Sequence, residues 1–218
     1  DVTYNFMKNG IKYLSAVSIL PDEELDGDII FLSKSDITDS VRSRPGNHEL
    51  EAIPEIWNDP LRLRETSEYL EKLHRNLAGK IGSVLNRIHG VNYPSSFWEM
   101  PMASWLLFFL PPLFDRYSRL KRAVELYGRK NLILLACRYK LGPYSGYPDF
   151  MEKLCVTEQS VSAFNGDVAR QMNITVKEFS SDKPLRRIGV STEKRLNVLS
   201  KSFPLKVFNK FKKELWNL

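Results

Sequence analysis

The sequence has few of the residues that build metal centres and disulfide frameworks. Its 218 residues include three histidines and two cysteines, Cys137 and Cys155, which have no CxxC spacing and no histidine neighbours. This inventory indicates neither a disulfide framework nor a zinc site. No Ser-His-Asp or Cys-His constellation is evident either, so hydrolase classes that depend on one are not expected. We expect a protein of a reducing compartment with no metal and no cofactor.

Glycine-rich phosphate loops and long apolar runs are also missing. The chain has neither a Walker motif nor a G-x-G-x-x-G run, so no nucleotide loop is predicted. Its longest apolar run, 100–114, is interrupted by three prolines. A helix that spans a bilayer needs roughly 18 or more apolar residues, so no membrane span is expected.

Acidic residues are fewer than basic ones, 26 against 32, which gives a net charge of +6 and a pI near 9.2. A basic balance favours anionic partners, which include nucleotide-sugar phosphates, lipid-linked phosphates, membrane headgroups and nucleic acid. Nucleic acid is the least favoured, because no RNP, helix-turn-helix or zinc-finger pattern is present and the basic residues are dispersed among 26 acidic ones. Charge alone does not choose among the others.

Short apolar runs predict the strands of an α/β protein. The predicted strands cover 11–17, 28–32, 49–53, 131–138 and 174–179, and a helix is predicted over 158–172. With two long helices before the fourth strand, the order begins β, β, β, α, α, β. This order is typical of a Rossmann-like α/β domain.

Asp26-Gly27-Asp28 imitates the Asp-x-Asp motif with which metal-dependent glycosyltransferases hold Mn²⁺ or Mg²⁺. The motif precedes a predicted strand, whereas ligand sites in α/β proteins lie beyond the carboxyl ends of strands. We therefore interpret it as a turn.

The region 58–127 predicts a pair of long helices. Asn58 or Asp59 can cap the first helix, Pro60 suits its first turn, and Gly90 ends it. Apolar residues at helical spacing give this helix one buried stripe. The stripe consists of Leu63, Leu70, Leu73, Leu77, Ile81, Val84 and Ile88.

The second helix restarts after a short turn. Ser96 and Glu99 have the spacing of a capping box. Pro111 and Pro112 cannot sit in an undisturbed helix interior, so we expect a break or a kink there. Helical spacing then resumes until Gly128.

Four motifs run through this region in a fixed order. They are LNRIHGVNY at 85–93, a tryptophan at 98, SWL at 104–106 and FDRY at 114–117. Together with the upstream strands they resemble a family of transferases from bacterial surface-polysaccharide (O-antigen) gene clusters, over about residues 11–127. The sequence departs from the family at 96–98, where Ser-Phe-Trp stands in place of Arg-aromatic-Trp, and at 103–106. A phosphate-binding arginine is therefore not carried over.

The resemblance implies a Rossmann-like fold of the glycosyltransferase-B N-terminal type with a pair of long helices. It implies that 1–218 is a single α/β domain, the N-terminal part of a longer two-domain enzyme, which fits a chain that begins with Asp1. The donor would be a nucleotide-activated sugar or glycerol and the acceptor a glycan or lipid-linked molecule, with no nucleic acid. A cytoplasmic location is expected, and a peripheral contact with the inner membrane is left open.

Sugar transfer needs a base, donors for the leaving diphosphate, and aromatic surfaces for sugar faces. The candidates are His89 and Asp115 as catalytic residues and Asn86, Trp98, Trp105, Arg116 and Tyr144 as substrate-binding residues. Structural alternatives stay open for each. His89 can satisfy terminal helix carbonyls, Asp115 and Arg116 can form an internal ion pair, and the tryptophans can belong to the core. Tyr144 lies in a turn-rich stretch that can be a rigid surface loop.

The last residues, 207–218, have the pattern of a basic amphipathic helix. This helix could dock on a missing domain, on the core of the chain itself, or on an anionic membrane surface. A non-catalytic domain that uses its long helices as an interaction surface is the rival to the transferase hypothesis.

Overall fold

The computed structural model describes residues 10–43, 50–139 and 157–181. Tyr144 and the amphipathic helix predicted over 207–218 lie outside the described residues.

Five parallel strands form one sheet. They are β1 (Lys12–Ser15), β2 (Asp28–Phe31), β3 (Glu51–Ala52), β4 (Leu132–Cys137) and β5 (Thr175–Phe179), in the spatial order β3-β2-β1-β4-β5. Lys12 on β1 lies opposite Asp28 on one side and Leu132 on the other. The predicted α/β, Rossmann-like fold is thereby confirmed.

The central strands are buried because helices and loops cover both faces of a parallel sheet. Leu14 on β1 and Leu134 on β4 have no exposed surface. Tyr13, Val17 and Leu135 belong to the main hydrophobic core beside them. The continuous apolar character of β1, β2 and β4, rather than an alternating pattern, follows from this two-sided burial.

Two short helices, α1 (Asp39–Arg42) and a 3₁₀ turn at Lys34–Asp36, occupy the segment after β2. The longer helix α4 (Glu158–Gln171) follows the predicted 158–172 closely. Thr157 caps α4 by accepting a hydrogen bond from the Ser160 amide at 3.3 Å. Gly166 lets α4 approach β4, since a Cβ atom there would lie 2.7 Å from the Ala136 Cβ.

Helix α2 spans Pro60–His89 and has the predicted ends. The Asp59 carboxylate accepts from the Leu61 amide at 2.9 Å, and Pro60 occupies the first turn, where its missing N–H removes no bond. Gly90 ends the helix with a left-handed φ of 64°, a conformation that favours glycine. At 30 residues the helix is about 45 Å long.

Helix α3 spans Ser95–Tyr127 without interruption and contains Pro101, Pro111 and Pro112. Of the two outcomes that the proline pair predicted, a break or a kink, the break does not occur, because the helix is continuous through Pro111 and Pro112. Each proline lacks one amide donor, but the flanking turns keep theirs. The helix also begins one residue before the predicted cap, Ser96.

The chain divides into two compact units. The sheet unit comprises Asp1–Pro54 and Arg119–Leu218, and the helical unit comprises Glu55–Ser118, which contains α2 and most of α3. The helical unit contains buried leucines such as Leu77, Leu85 and Leu106. Within the described ranges, no helix is both long and apolar enough to cross a membrane.

Candidate functional site

The turn between α2 and α3 is held by one side chain. Asn86 donates from Nδ2 to the Tyr93 carbonyl at 2.7 Å and accepts the Tyr93 amide at Oδ1 at 3.1 Å. The same Oδ1 also accepts from Trp98 Nε1 at 2.8 Å. Asn86 therefore closes the turn and fixes the first residues of α3 against the end of α2.

His89 and Trp98 complete this group, which we call the turn cluster (Asn86, His89, Tyr93, Phe97 and Trp98). The His89 ring is exposed and stacks on Trp98, with centroids 5.8 Å apart and an angle of 18° between the planes. Trp98 also packs over Gly82, where a Cβ atom would lie 3.1 Å from the Trp98 Cδ1. The structure thus brings together three of the predicted site residues.

The other predicted residues lie farther along α3. Asp115 accepts a hydrogen bond from Trp57 Nε1, which ties α3 to the segment before α2. Arg116 is buried, and Trp105 stacks on Phe109 with centroids 4.8 Å apart. The catalytic and substrate-binding roles assigned to these residues and to the turn cluster stay predictions.

Asp26 and Asp28, the carboxylates of the Asp-x-Asp sequence, lie at the start of β2 and contact β1. Asp26 accepts a hydrogen bond from the Tyr13 hydroxyl at 2.5 Å, and this bond holds the pKa of Asp26 below its usual value. Asp28 opens β2 and pairs with Lys12 of β1. Both carboxylates therefore have structural partners. In the part of the chain that the structure describes, no group of three or more His, Cys, Asp or Glu side chains is arranged to hold a metal ion.

The strand order reverses between β1 and β4. From β1 the chain moves outward to β2 and β3, whereas β4 and β5 lie on the other side of β1. In open parallel sheets the crevice beyond the carboxyl ends at such a switch point is where ligands bind. We call this region the carboxyl edge. It consists of the last residues of β1 and β4, the residues that follow them, the start of α4 and an arginine beside the end of β2: Ser15, Val17, Ser18, Cys137, Arg138, Thr157, Glu158, Ser160 and Arg119.

Hydrogen bonds join these segments across the edge. Ser15 donates from Oγ to the Val17 carbonyl at 2.8 Å, which shapes the chain as it leaves β1. Ser18 then donates from Oγ to Glu158 Oε1 at 2.6 Å and so ties the end of β1 to the first residue of α4. The start of α4 is therefore held directly above the switch point.

The charged groups at this edge are unevenly buried. Glu158 is only 8% exposed, and the structure gives its Oε2 no hydrogen-bond partner among the described residues. Arg138 is exposed, and its Nε lies 3.5 Å from Glu178 Oε2. Arg119 donates from Nη1 to the Leu32 carbonyl just beyond β2, at 2.9 Å. Among the described residues, this edge thus has one buried carboxylate, Glu158, and the guanidinium groups of Arg119 and Arg138.

Cys137 is buried at the end of β4. Burial raises the pKa of the Cys137 thiol, so the group stays protonated near neutral pH. Its backbone amide donates to Ser162 Oγ at 2.8 Å, which fixes α4 against the last residue of β4. These observations favour a packing role for Cys137.

The carboxyl edge was not among the site residues that the sequence predicted. Ser18 and Glu158 are 140 positions apart, and neither belongs to a motif. The signal that finds them is the strand order, because it locates the switch point and with it the segments after β1 and β4.

A parallel sheet in this order with a polar switch point defines a Rossmann-like α/β protein. A model of the LIC12162 family transferases matches residues 21–160, which is well over half of the chain. The chain belongs to the LIC12162 family of transferases. The matched range contains Glu158 and begins after Ser18. No curated protein and no solved structure matches the chain.

Proposed function

We propose that the chain is a glycosyltransferase-like or glycerophosphotransferase-like enzyme of bacterial surface-polysaccharide or O-antigen biosynthesis, or the N-terminal domain of one. Its membership of a transferase family supports this class of reaction. The observation that carries the proposal is the polar carboxyl edge at the reversal of strand order. Enzymes with parallel sheets bind their substrates at this position.

The groups at the edge suit the two substrates of such a transfer. The guanidinium groups of Arg119 and Arg138 can neutralise the phosphates of a nucleotide-activated sugar or glycerol. Ser18 and Glu158 can hydrogen-bond the hydroxyls of a glycan or lipid-linked acceptor. The net charge of +6 favours the approach of the anionic substrate. We place the reaction in the cytoplasm, with a peripheral contact at the inner membrane for a lipid-linked acceptor.

We keep His89 and Asp115 as the catalytic candidates of an alternative site within the helical unit. His89 is exposed at the end of α2, where it can exchange protons with solvent and substrate. Asp115 is partly buried and bonded to Trp57, which suits a positioned carboxylate. Asn86 and Trp98 would act on a substrate through their hold on His89 and the turn.

A non-catalytic interaction or acceptor-binding domain is the second candidate. Exposed large apolar side chains of the described residues concentrate in the helical unit. They are Leu61, Leu63, Tyr69, Ile88, Tyr93, Phe97, Met100, Leu107 and Phe108, and Ile11 alone of this group lies in the sheet unit. Met100 is 84% exposed. Exposed apolar clusters are typical of interaction surfaces.

A thermal-shift panel tests the transferase proposal. The chain is heated with nucleotide sugars of each base, with CDP-glycerol and with free nucleotides. A ligand present at 100 times its Kd adds about 2.7 kcal/mol of apparent stability, which raises the midpoint by several degrees. We expect a selective shift with one nucleotide class. The variants Arg138→Ala and His89→Ala then report whether the carboxyl edge or the turn cluster holds the donor.

The same panel separates the two candidates. If no nucleotide raises the midpoint at millimolar concentration, the donor site is absent and the interaction or acceptor-binding domain replaces the transferase. Met100→Ser is a matched control, because it alters the exposed apolar surface and leaves both candidate donor sites untouched.

A further inference from the structure

Glu158 is a buried carboxylate at the carboxyl edge, and one of its two oxygens accepts no hydrogen bond from the described residues. Its Oε1 accepts from Ser18 Oγ at 2.6 Å, whereas its Oε2 is buried and has no partner among them. The side chain is more than nine-tenths buried, at 8% exposure. An acceptor is therefore available beside Ser18, at the first turn of α4.

A buried carboxylate oxygen without a donor costs stability. The amino end of α4 favours a negative charge at this position, but it does not supply the hydrogen bond that Oε2 lacks. The neighbouring hydroxyls are engaged with each other, since Thr157 Oγ1 and Ser160 Oγ lie 2.6 Å apart. An unsatisfied group of this kind in a native structure needs an explanation, and a catalytic or ligand-binding role is one.

The chemistry of the position selects the ligand. A carboxylate oxygen accepts hydrogen bonds, so the ligand must present an O–H or N–H group. A phosphate would be repelled by the carboxylate, so the diphosphate of the donor does not bind at Oε2. Ser18 is partly exposed, so the ligand would have to approach the pair from the side of Ser18. An alcohol of a sugar or polyol meets all three conditions.

We propose that Glu158 binds the acceptor hydroxyl of the transfer reaction and takes the proton of that hydroxyl. Ser18 positions the Glu158 carboxylate. This inference rests on the proposed transferase function. In the step, the hydroxyl oxygen forms a bond to the anomeric carbon of a nucleotide sugar. The bond from that carbon to the diphosphate oxygen breaks, the nucleoside diphosphate leaves, and the hydroxyl proton moves to Glu158 Oε2.

Binding of a neutral hydroxyl ligand is tested by saturation-transfer-difference NMR on the full chain. The probes are glycerol and the methyl glycosides of glucose, mannose and rhamnose. We expect saturation transfer to at least one probe, with affinity at least tenfold weaker in Glu158→Ala. Glu125→Gln is the matched control, because Glu125 is an exposed residue of α3 paired with Arg122 at 3.3 Å. The result that overturns the site is no transfer to any probe, or equal transfer with Glu158→Ala.

The proton-transfer role has its own readout. With the donor that the thermal-shift panel selects, release of free nucleotide in the presence of the bound glycoside gives kcat and KM. Glu158→Gln keeps the shape and the bond to Ser18 but cannot take a proton, so kcat should fall about 10²- to 10⁴-fold with KM little changed. Ser18→Ala should lower kcat less, and Ser18→Thr, which keeps the hydroxyl, should restore it.

The outcomes separate the inference from the function on which it rests. If Glu158→Gln turns over the donor at the wild-type rate, Glu158 is not the base and the transferase proposal stands. If the wild-type chain binds no nucleotide donor, the transferase proposal fails, and the glycoside probes alone decide whether Glu158 marks a hydroxyl-binding site. Should Glu158→Ala fail to fold, the comparison of Ser18→Ala with Ser18→Thr gives the same decision.

Discussion

Asn86 belongs to a sequence motif, and its side chain stabilises the turn between α2 and α3. Its side-chain amide makes three hydrogen bonds that close the α2–α3 turn, two to the Tyr93 backbone and one to the Trp98 indole. The Asn86 Oδ1 accepts two hydrogen bonds and is fully used, so a substrate could only accept from the second Nδ2 hydrogen. The geometry therefore favours Asn86 as the residue that orients Trp98 and, through the ring stack, His89.

Asn86→Ala should lower the free energy of unfolding by about 1–3 kcal/mol, because three partly exposed hydrogen bonds are lost together. Urea unfolding followed by tryptophan fluorescence measures the change. Asn92→Ala, an exposed asparagine in the same turn, is the control and should change stability by less than about 0.5 kcal/mol. Equal effects of the two substitutions would contradict the role of Asn86 in closing the turn.

The raised pKa of Tyr127 predicts that the free energy of unfolding falls at alkaline pH. Burial, and then the neighbouring Glu51 carboxylate, raises the pKa of Tyr127 to about 12. The unfolded chain ionises this tyrosine near pH 10, so its contribution is complete below pH 10 and is lost as the pH rises to about 12. Urea midpoints of Tyr127→Phe should decline less steeply across this window than those of the wild type. An identical pH dependence in Tyr127→Phe would rule the contribution out, and Tyr69→Phe, at an exposed tyrosine, serves as the control.

Among the elements, α4 owes its close packing on β4 to one glycine. A Cβ atom at Gly166 would lie 2.7 Å from the Ala136 Cβ, which neither backbone can avoid without moving. At Gly79 of α2 an added Cβ atom would meet nothing within 4 Å. Substitution of Gly166 therefore tests packing, whereas substitution of Gly79 tests helix propensity alone.

Gly79→Ala should raise the free energy of unfolding by up to about 1 kcal/mol, because alanine is the better helix former. Gly166→Ala should lower it by about 1–3 kcal/mol, since the overlap with β4 outweighs the same propensity gain. Thermal and urea unfolding of the two variants side by side give the comparison. A stabilising Gly166→Ala would mean that α4 does not pack on β4 at this distance.

The element boundaries that follow from local chemistry could be predicted. The cap at Asp59 and the left-handed Gly90 fix the two ends of α2, and both signals are written within a few residues of the helix. The course of α3 could not be predicted in this way. The local signal of Pro111 and Pro112 favours a break. The helix nevertheless continues, because the hydrogen bonds of its other turns stabilise it despite the two backbone N–H donors that the prolines lack.

The candidate site could be predicted only in part, for a similar reason. The turn cluster is local, since Asn86 and Trp98 are 12 residues apart, and the sequence singled out three of its members, Asn86, His89 and Trp98. The contact between Ser18 and Glu158 depends on the order of strands in the sheet, which no local pattern encodes. The short helix α1 was likewise missed, because four residues carry too little periodicity to recognise.

At the scale of the whole molecule, the net charge of +6 predicts how the two kinds of ligand respond to salt. Affinity for a nucleotide diphosphate donor should fall as sodium chloride is raised from 50 to 500 mM, because the Debye length shortens to about 4 Å. Affinity for a neutral methyl glycoside should stay constant within about twofold. Calorimetric or NMR titrations at the two salt concentrations measure both. A donor affinity that is independent of salt would contradict an electrostatic contribution to its capture.

The central claim is that the carboxyl edge of the sheet binds the substrates of a transferase. The most direct measurement is a ¹H–¹⁵N TROSY titration of the labelled chain with the nucleotide donor that the thermal-shift panel selects. We predict that the largest amide shifts fall at residues 15–18, at Cys137 and Arg138, and at residues 157–160. Amide shifts confined to α2 and α3, or none at saturating donor, would contradict the claim.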